Sequence, residues 1–162
     1  MDSARLPSDD LSVDGSAEAR TLDELLEAAA GRIVRLEPAA AHAAIASGAL
    51  LVDIRADSDR DRDGIVPGSL HIPRTVLEWR LAPDSQWRNP HVSPERRLVL
   101  LCDHGSSSIL AAATLAQLGL ADVGDVIGGF AAWQDAGLPT ASATPYRREG
   151  AEPAGMRPPD PA

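Results

Sequence analysis

Apolar and polar positions alternate along the central part of the chain in short blocks that predict strands and helices in turn. Five apolar runs bounded by turn residues are typical of buried strands. They cover residues 32–36, 49–54, 69–72, 97–102 and 123–127. Segments between them predict helices over 21–31, 38–47, 75–81, 106–118 and 130–137. This alternation predicts an α/β fold, with a mostly parallel sheet of about five strands and helices on both faces.

Several helix ends carry their own signals. Thr21 and Glu24 have the spacing of a capping box, Pro38 suits the first turn of the second helix, and Gly137 closes the last one. The most apolar strand, 97–102, ends at Cys102, which is the only cysteine of the chain. Ligands of parallel sheets bind beyond the carboxyl ends of the strands, so Cys102 is predicted at a functional edge.

The two ends of the 162-residue chain differ in composition from its centre. Residues 1–30 contain eight Asp and Glu residues against two Arg residues, and the whole chain has a net charge of -9. We predict an acidic disordered tail over 1–20, a domain over 21–140 and a Pro/Ala-rich tail over 141–162. Because no basic patch exists to neutralise phosphates, nucleic acid is not an expected partner.

Membrane association is not expected either, because the apolar runs are too short to span a bilayer. The first residues lack the basic and apolar regions of a secretory signal. A lone cysteine makes no internal disulfide and suits a reducing compartment, so we expect a cytoplasmic protein.

The turn after Cys102 has the composition of an anion-binding loop. Gly105 permits backbone angles that other residues avoid, and successive N–H groups of such a turn can converge on one point. The helix that follows adds its positive N-terminal end. Such surroundings stabilise a thiolate, so the pKa of Cys102 is expected to lie below its ordinary value. The alternative from these residues alone is an inert cysteine at the end of a core strand.

Four segments, in this order, resemble the rhodanese superfamily of sulfurtransferases. They are LVDIR (51–55), IVPGSLHIPR (65–74), LLCDHGSSS (100–108) and VIGGFAAWQDAGLP (126–139), and the resemblance covers about 32–140. It implies a three-layer rhodanese-like fold of the single-domain type. It also implies that Cys102 carries a persulfide, with thiosulfate as donor and cyanide or a thiol as acceptor. No metal or organic cofactor is implied. A protein thiol is a further acceptor compatible with this chemistry.

The resemblance also assigns residues to the substrate. The loop that would bind it consists of Asp103, His104, Gly105, Ser106, Ser107 and Ser108. Many members carry Arg at the end of a C-x-x-G-x-R pattern, where this chain has Ser107. A guanidinium from elsewhere is then needed, and the candidates are Arg55, Arg60 and Arg74. Of these, Arg74 is predicted to bind the substrate.

Three further residues near these segments receive mainly structural interpretations. Asp53 is predicted to accept hydrogen bonds at a strand end, and His71 to support the fold. His104 can shuttle a proton at neutral pH, but shaping the turn is the favoured role. Trp133, beside Phe130, is predicted to be a packing anchor.

Two other functions remain as alternatives. A cysteine phosphatase or arsenate reductase uses a similar loop, but it needs a guanidinium at the loop end, and Ser107 lacks one. A catalytically silent rhodanese-like module would bind a partner through the acidic tail, and the retained Cys102 argues against silence.

No metal site is expected. DRDRDG (59–64) matches the first half of an EF-hand loop, but the twelfth position is Leu70 and Pro67 interrupts the pattern. This segment is therefore predicted to be a solvated charged loop. The four His residues are scattered without the spacing of a zinc site.

Overall fold

A computed structural model describes residues 18–143, which form a five-stranded parallel sheet between two layers of helices. The strands are β1 (Val34–Leu36), β2 (Leu50–Asp53), β3 (Leu70–His71), β4 (Leu98–Leu101) and β5 (Val123–Val126). Their order across the sheet is β1-β5-β4-β2-β3. The helices are α1 (Leu22–Ala30), α2 (Pro38–Ala46), α3 (Asp57–Asp63), α4 (Leu77–Leu81), α5 (Ser107–Gln117) and α6 (Gly129–Asp135). A short 3₁₀ turn at Arg74–Val76 precedes α4. The predicted α/β architecture is confirmed.

The sheet has a separate apolar layer on each face, because side chains of a strand point alternately to the two sides. Along β4, Leu98 and Leu100 pack with Cys102 against α4 and α5, and α1 packs on the outside of α5. Val99 and Leu101 point to the other face and pack with residues of α2 and α6. A strand that is buried on both faces is continuously apolar, which explains the run 97–102.

The last helix is anchored as its sequence predicts. Trp133 is fully buried, and its indole N–H donates to the carbonyl of Pro139 at 2.9 Å. Phe130 is also buried, one turn earlier on the same helix. Both aromatic side chains belong to the apolar layer shared with α2, so they fix α6 against the sheet.

The prediction of a solvated charged loop over 59–64 is wrong, because residues 57–63 form α3. This helix has the sequence DSDRDRD and contains no apolar residue. Its buried side chain is Arg60, whose guanidinium lies 3.5 Å from Asp53 Oδ2 and 3.5 Å from Asp57 Oδ1. A helix that faces the core through an arginine has no hydrophobic periodicity, so the pattern of apolar positions does not reveal it.

The packed part of the chain continues past residue 140. Ala141 forms an antiparallel bridge with Ile65, with reciprocal hydrogen bonds of 2.8 and 2.9 Å, and Ala143 is buried. The predicted boundary therefore cuts off three residues that belong to the domain. Residues 1–17 and 144–162, which hold most of both predicted tails, lie outside the described residues.

The order of the strands places β4 at the centre of the sheet, between β5 and β2. Cys102 follows directly after β4 and is buried. None of the helices between residues 18 and 143 combines the length and the apolar character that crossing a membrane requires.

Candidate active site

The sulfur of Cys102 lies inside the loop that joins β4 to α5. The backbone N–H of Gly105 donates to Sγ at 3.1 Å, and the hydroxyl of Ser108 lies 3.2 Å from it. Both partners come from the first residues after the cysteine, because the loop turns back over the end of its own strand. The sulfur is thus held by a backbone donor on one side and by a hydroxyl on the other.

The start of α6 fixes the orientation of this loop. The N–H of Phe130 donates to the carbonyl of Cys102 at 2.8 Å, and the N–H of Ala131 donates to the carbonyl of Asp103 at 3.0 Å. In a trans peptide the carbonyl and the following N–H point in opposite directions. Because α6 holds these two carbonyls, the N–H groups that follow them are turned away from α6.

Gly105 is required by both its backbone angle and its surroundings. Its φ is +83°, and a Cβ at this position would lie 2.5 Å from the backbone nitrogen of Gly128. The loop and the turn before α6 therefore approach each other more closely than any side chain allows. The predicted role of Gly105 in shaping the turn agrees with this geometry.

These contacts shift the acidity of the thiol. Burial raises the pKa of Cys102, but hydrogen bonds outweigh it and bring the pKa below its ordinary value. The bonds come from the side chains of Ser108 and Ser107 and from the backbone N–H groups of Ser108 and Gly105. A thiolate is the reactive form of cysteine, so the loop favours a nucleophile.

A cavity of about 420 Å³ opens in front of the sulfur. Its lining residues come from the end of β2, from α3 and from the loop after β4. They are Ile54, Arg55, Ala56, Asp59, Cys102, Asp103, His104, Ser106 and Ser107. The cavity has room for a small anion beside the thiolate.

Arg55 supplies the guanidinium that the loop itself lacks. Its side chain is fully buried, its Nε and Nη2 donate to the carboxylate of Asp53 at 3.0 and 2.8 Å, and its carbon Cζ lies 3.8 Å from the ring centre of Phe130. Nη2 also donates to the carbonyl of Gly64 at 2.8 Å. The remaining nitrogen, Nη1, is buried and has no hydrogen-bond partner within residues 18–143. Such an atom is well suited to receive a ligand oxygen.

Two carboxylates oppose this positive charge at the cavity. Asp103 Oδ1 lies 3.9 Å from Arg55 Nη1, and Asp59 lines the same space. Burial, and then the charge of Asp59, raise the pKa of Asp103, while Arg55 counteracts them. Beside the cavity, a guanidinium nitrogen without a hydrogen bond among the described residues thus faces a partly acidic rim.

The structure brings most of the predicted loop residues to the cavity. Asp103, His104, Ser106 and Ser107 line it, whereas Ser108 is fully buried behind the sulfur. Arg74 lies elsewhere: Nη1 forms an ion pair with Glu78 Oε1 at 2.6 Å, and Arg74 is not among the residues that line the cavity.

The residues predicted to be structural occupy such positions. The carboxylate of Asp53 is fully buried and binds Arg55, and Nε of Arg60 lies 3.5 Å from its Oδ2. His71 is buried, and its Nε2 donates to the backbone carbonyl of Arg55 at 2.8 Å. Asp53 and His71 thus hold Arg55 in place.

One pair near the sulfur was not identified from the sequence. Asp125 on β5 is fully buried, and Arg35 on β1 donates to it from Nε at 2.9 Å and from Nη2 at 3.1 Å. The two residues are neighbours in the register of adjacent strands but lie 90 positions apart in the chain. A buried acid within an apolar strand was the only signal that could have suggested this pair.

Metal ions have no evident place in this site. Within the part of the chain that the structure describes, no three His, Cys, Asp or Glu side chains are grouped so that they could hold one.

Comparisons with known proteins agree with the fold. The family model described as rhodanese-like domain matches residues 37–136. A thiosulfate sulfurtransferase GlpE of Pseudomonas savastanoi is 34% identical over 100 residues, which are 62% of this chain and 86% of that protein. A sulfurtransferase of Allochromatium vinosum is 32% identical over 90 residues, which are 56% of this chain and 76% of that protein.

Two solved structures extend the comparison. A protein of unknown function from Rhodopseudomonas palustris, described as a possible tyrosine phosphatase, is 36% identical with a TM-score of 0.71, covering 77% of this chain and 97% of its own. The polysulfide-sulfur transferase homodimer of Wolinella succinogenes is 25% identical with a TM-score of 0.61, covering 74% of this chain and 85% of its own.

Proposed function

This chain belongs to the rhodanese-like domain family, and we propose that it is a sulfurtransferase which carries sulfur as a persulfide on Cys102, with thiosulfate as a donor. The observation that carries the proposal is the position of the sulfur. Sγ accepts a hydrogen bond from the N–H of Gly105 and lies beside the Ser108 hydroxyl, and Cys102 lines a cavity together with Arg55, whose Nη1 has no hydrogen bond among the described residues.

The first half-reaction loads the enzyme. The Cys102 thiolate attacks the outer sulfur of thiosulfate, a new S–S bond forms, and the original S–S bond breaks. Sulfite leaves with the electron pair of the broken bond. The fixed N–H of Gly105 and the hydroxyls of Ser107 and Ser108 stabilise negative charge on the attacking sulfur and then on the persulfide.

The second half-reaction removes the sulfur from the enzyme. A nucleophilic acceptor attacks the terminal sulfur of the persulfide, and Cys102 leaves as a thiolate. Cyanide becomes thiocyanate, and a thiolate becomes a persulfide. Small-molecule thiols are the proposed acceptors, and a protein thiol is a further one. Two successive transfers through a covalent intermediate predict ping-pong kinetics.

Arg55 and the loop share the binding of the donor. Nη1 of Arg55 is buried, lies 3.9 Å from the carboxylate of Asp103, and has no hydrogen bond among the described residues. We assign it to a sulfonate oxygen of thiosulfate. Ser106 and Ser107, which are exposed at the cavity, are the proposed partners of the remaining oxygens. Arg74 was predicted for this role, but its ion pair with Glu78 makes Arg55 the better candidate.

We also propose a cytoplasmic location. The chain has one cysteine, and its function requires that this cysteine return to a thiolate after each turnover. A reducing compartment keeps such a thiol from oxidation.

A phosphatase is the second candidate, and the resemblance to the Rhodopseudomonas protein favours it. Hydrolysis of a phosphate ester needs a guanidinium that binds the phosphoryl oxygens in a bidentate manner. Ser107 holds the position at the end of the loop, and Arg55 offers only Nη1 because Nε and Nη2 bind Asp53. Sulfur transfer makes no such demand, so it agrees better with this site.

Mass spectrometry of the intact protein tests the proposal. After incubation with thiosulfate and removal of the excess, the protein should gain the mass of one sulfur atom, and cyanide should remove it with formation of thiocyanate. The Cys102→Ala variant should gain nothing. Hydrolysis of para-nitrophenyl phosphate, measured in parallel, covers the phosphatase. Turnover of that ester without sulfur loading would reject the sulfurtransferase, and absence of both activities would favour the silent binding module.

A further inference from the structure

The residues behind the sulfur of Cys102 form a continuous chain of hydrogen bonds that ends in an ion pair. The Ser108 hydroxyl lies 3.2 Å from Sγ and donates to Asp125 Oδ2 at 2.7 Å. Asp125 in turn accepts from Nε and Nη2 of Arg35 at 2.9 and 3.1 Å. Cys102, Ser108 and Asp125 are buried, so water does not easily take the place of any of these bonds.

Arg35 also closes the chain back onto the loop. Its Nη2 donates to the carbonyl of Gly105 at 2.8 Å, and the N–H of Gly105 donates to Sγ of Cys102. One guanidinium therefore contacts the surroundings of two donors that reach the sulfur: it binds Asp125, which accepts from the Ser108 hydroxyl, and it binds the carbonyl of Gly105, the residue whose N–H reaches the sulfur. Neither Arg35 nor Asp125 lines the cavity in front of the sulfur.

We propose that the Arg35–Asp125 ion pair is a positioning device that sets the hydrogen bond between the Ser108 hydroxyl and the sulfur of Cys102. The inference rests on the proposed function only in taking Cys102 as the nucleophile. The inference gives Arg35 on β1 and Asp125 on β5 a role in catalysis although neither residue contacts the substrate.

The single hydroxyl proton of Ser108 is the basis of the device. In the thiol form, the S–H of Cys102 donates to Ser108 Oγ, and the hydroxyl donates to Asp125. When the thiol proton leaves to solvent, the hydroxyl turns and donates to the thiolate instead. Asp125 then loses one hydrogen bond, but it keeps the two from Arg35. The buried carboxylate tolerates this loss only because the guanidinium stays in place.

The two members of the pair therefore have opposite effects on the sulfur. Without Arg35, the buried charge of Asp125 would retain the hydroxyl proton and repel the thiolate. Without the charge of Asp125, the hydroxyl would be free to donate to the sulfur, and Arg35 would attract the thiolate. If the pair had a purely structural role, loss of either member would disturb the loop alike and would shift the pKa of Cys102 in the same direction.

Four charged or titratable residues line the cavity in front of the sulfur: Arg55 after β2, Asp59 on α3, and Asp103 and His104 in the loop. On the side of the pair, the charge of Glu37, directly before α2, acts on Arg35. Helix α5, SSILAAATLAQ, carries no charged side chain. These groups stay unchanged in all the variants below, so differences between the variants report on the pair behind the sulfur.

The test is the pH dependence of alkylation of Cys102 by iodoacetamide, which needs no sulfur transfer. Arg35→Met should move the inflection of the alkylation rate to higher pH, and Asp125→Asn should move it to lower pH, each on the order of one pH unit. The double variant should lie between the two, because both charges are gone. Asp122→Asn is the matched control: it removes a carboxylate that pairs with Arg97, where Asp122 directly precedes β5 and Arg97 directly precedes β4, and it should not shift the inflection.

Circular dichroism and thermal melting show whether each variant folds. If Asp125→Asn does not fold, Arg35→Lys decides, because it retains the charge and should bring the inflection back toward that of the unmodified protein. Shifts of Arg35→Met and Asp125→Asn in the same direction, or shifts no larger than that of Asp122→Asn, would overturn the proposal. So would equal shifts of Arg35→Met and Arg35→Lys. If Arg35→Met and Asp125→Asn shift the inflection in opposite directions but the protein takes up no sulfur from thiosulfate, the proposed sulfurtransferase function is rejected and the positioning role stands.

Discussion

The backbone N–H of Gly105 points at Sγ of Cys102 from 3.1 Å, three residues along the chain from the cysteine. A donor of this kind costs no rearrangement when the sulfur becomes negative, because the peptide that carries it is already fixed. Together with the Ser107 and Ser108 hydroxyls it brings the pKa of the thiol below its ordinary value in spite of burial.

The first prediction concerns the pH dependence of Cys102 itself. The alkylation rate of the folded protein should rise through an inflection below about 8.5, the value for a free cysteine. The same protein in concentrated urea should show the ordinary value. Since the pKa is lower in the folded state, ionisation of Cys102 stabilises the fold above about pH 8.5, and this contribution is lost as the pH falls through the folded pKa. An inflection at the same pH with and without urea would contradict the loop geometry.

The second prediction concerns Gly105→Ala. A Cβ would lie 2.5 Å from the nitrogen of Gly128, so the loop must move away from α6 and carry its N–H off the sulfur. Sulfur transfer should fall by at least tenfold, and the melting temperature should drop.

Gly68→Ala is the control for this variant. Its φ is +78°, close to the +83° of Gly105, but a Cβ there meets nothing within 4 Å. It should lose about 1 kcal/mol of stability, from backbone strain alone, and keep its rate. Similar rates for the two variants would show that the close approach of loop and α6 does not matter for the chemistry.

The third prediction concerns the acidic rim of the cavity. Asp103 lies 3.9 Å from Arg55 Nη1 and competes with an anionic donor for that nitrogen. Asp103→Asn should lower KM for thiosulfate several-fold at low salt, and the gain should shrink as salt is added. Asp84→Asn makes the same charge change at an exposed loop position outside the cavity lining and should leave KM unchanged. Equal effects of the two variants would show that only net charge matters.

The fourth prediction concerns Ser107, which stands where the family often has Arg. The residue is exposed at the rim of the cavity, so a long side chain has room to turn toward the donor. Ser107→Arg should lower KM for thiosulfate more than it raises kcat, because a guanidinium binds the sulfonate oxygens in both ground and transition states. An unchanged KM at low salt would mean that Arg55 already binds the sulfonate oxygens of thiosulfate as well as the added guanidinium could.

The fifth prediction concerns the end of the domain. A chain that stops at residue 140 lacks the Ala141 bridge to Ile65 and buried Ala143, whereas one that stops at residue 143 keeps both. The shorter chain should melt at a lower temperature, and the longer one should melt like the full chain and keep its rate with thiosulfate. Equal melting of both truncated chains would show that the bridge contributes no stability.

Much of this fold follows from local patterns. The apolar run 97–102 predicts the central strand because a strand covered on both faces has no polar position, and β4 is buried at all four residues. Thr21 and Glu24 form both bonds of the predicted capping box, at 3.2 and 2.8 Å. In each case the residues that form the pattern are also the residues that form the structure, so a short stretch of sequence is enough to predict it.

The rest depends on contacts that no local pattern contains. Helix α3 has only polar residues, and its buried Arg60 lies beside Asp53. Arg35 and Asp125 meet because β1 and β5 are neighbours in the sheet, a register that the order of elements in the chain does not reveal. Arg55 replaced Arg74 as the donor-binding candidate for the same reason, because burial and pairing decide which guanidinium keeps a nitrogen without a hydrogen bond among the described residues.

The stacking of Arg55 on Phe130 has a consequence for how a donor is received. Folding has already stripped the guanidinium of its water and fixed it between Asp53, Gly64 and the aromatic ring. The free-energy cost of removing water from this guanidinium is therefore met when the domain folds. It lowers the stability of the domain and not the affinity for an arriving anion. Mutations that loosen the domain around this arginine would then weaken donor binding before they unfold the protein.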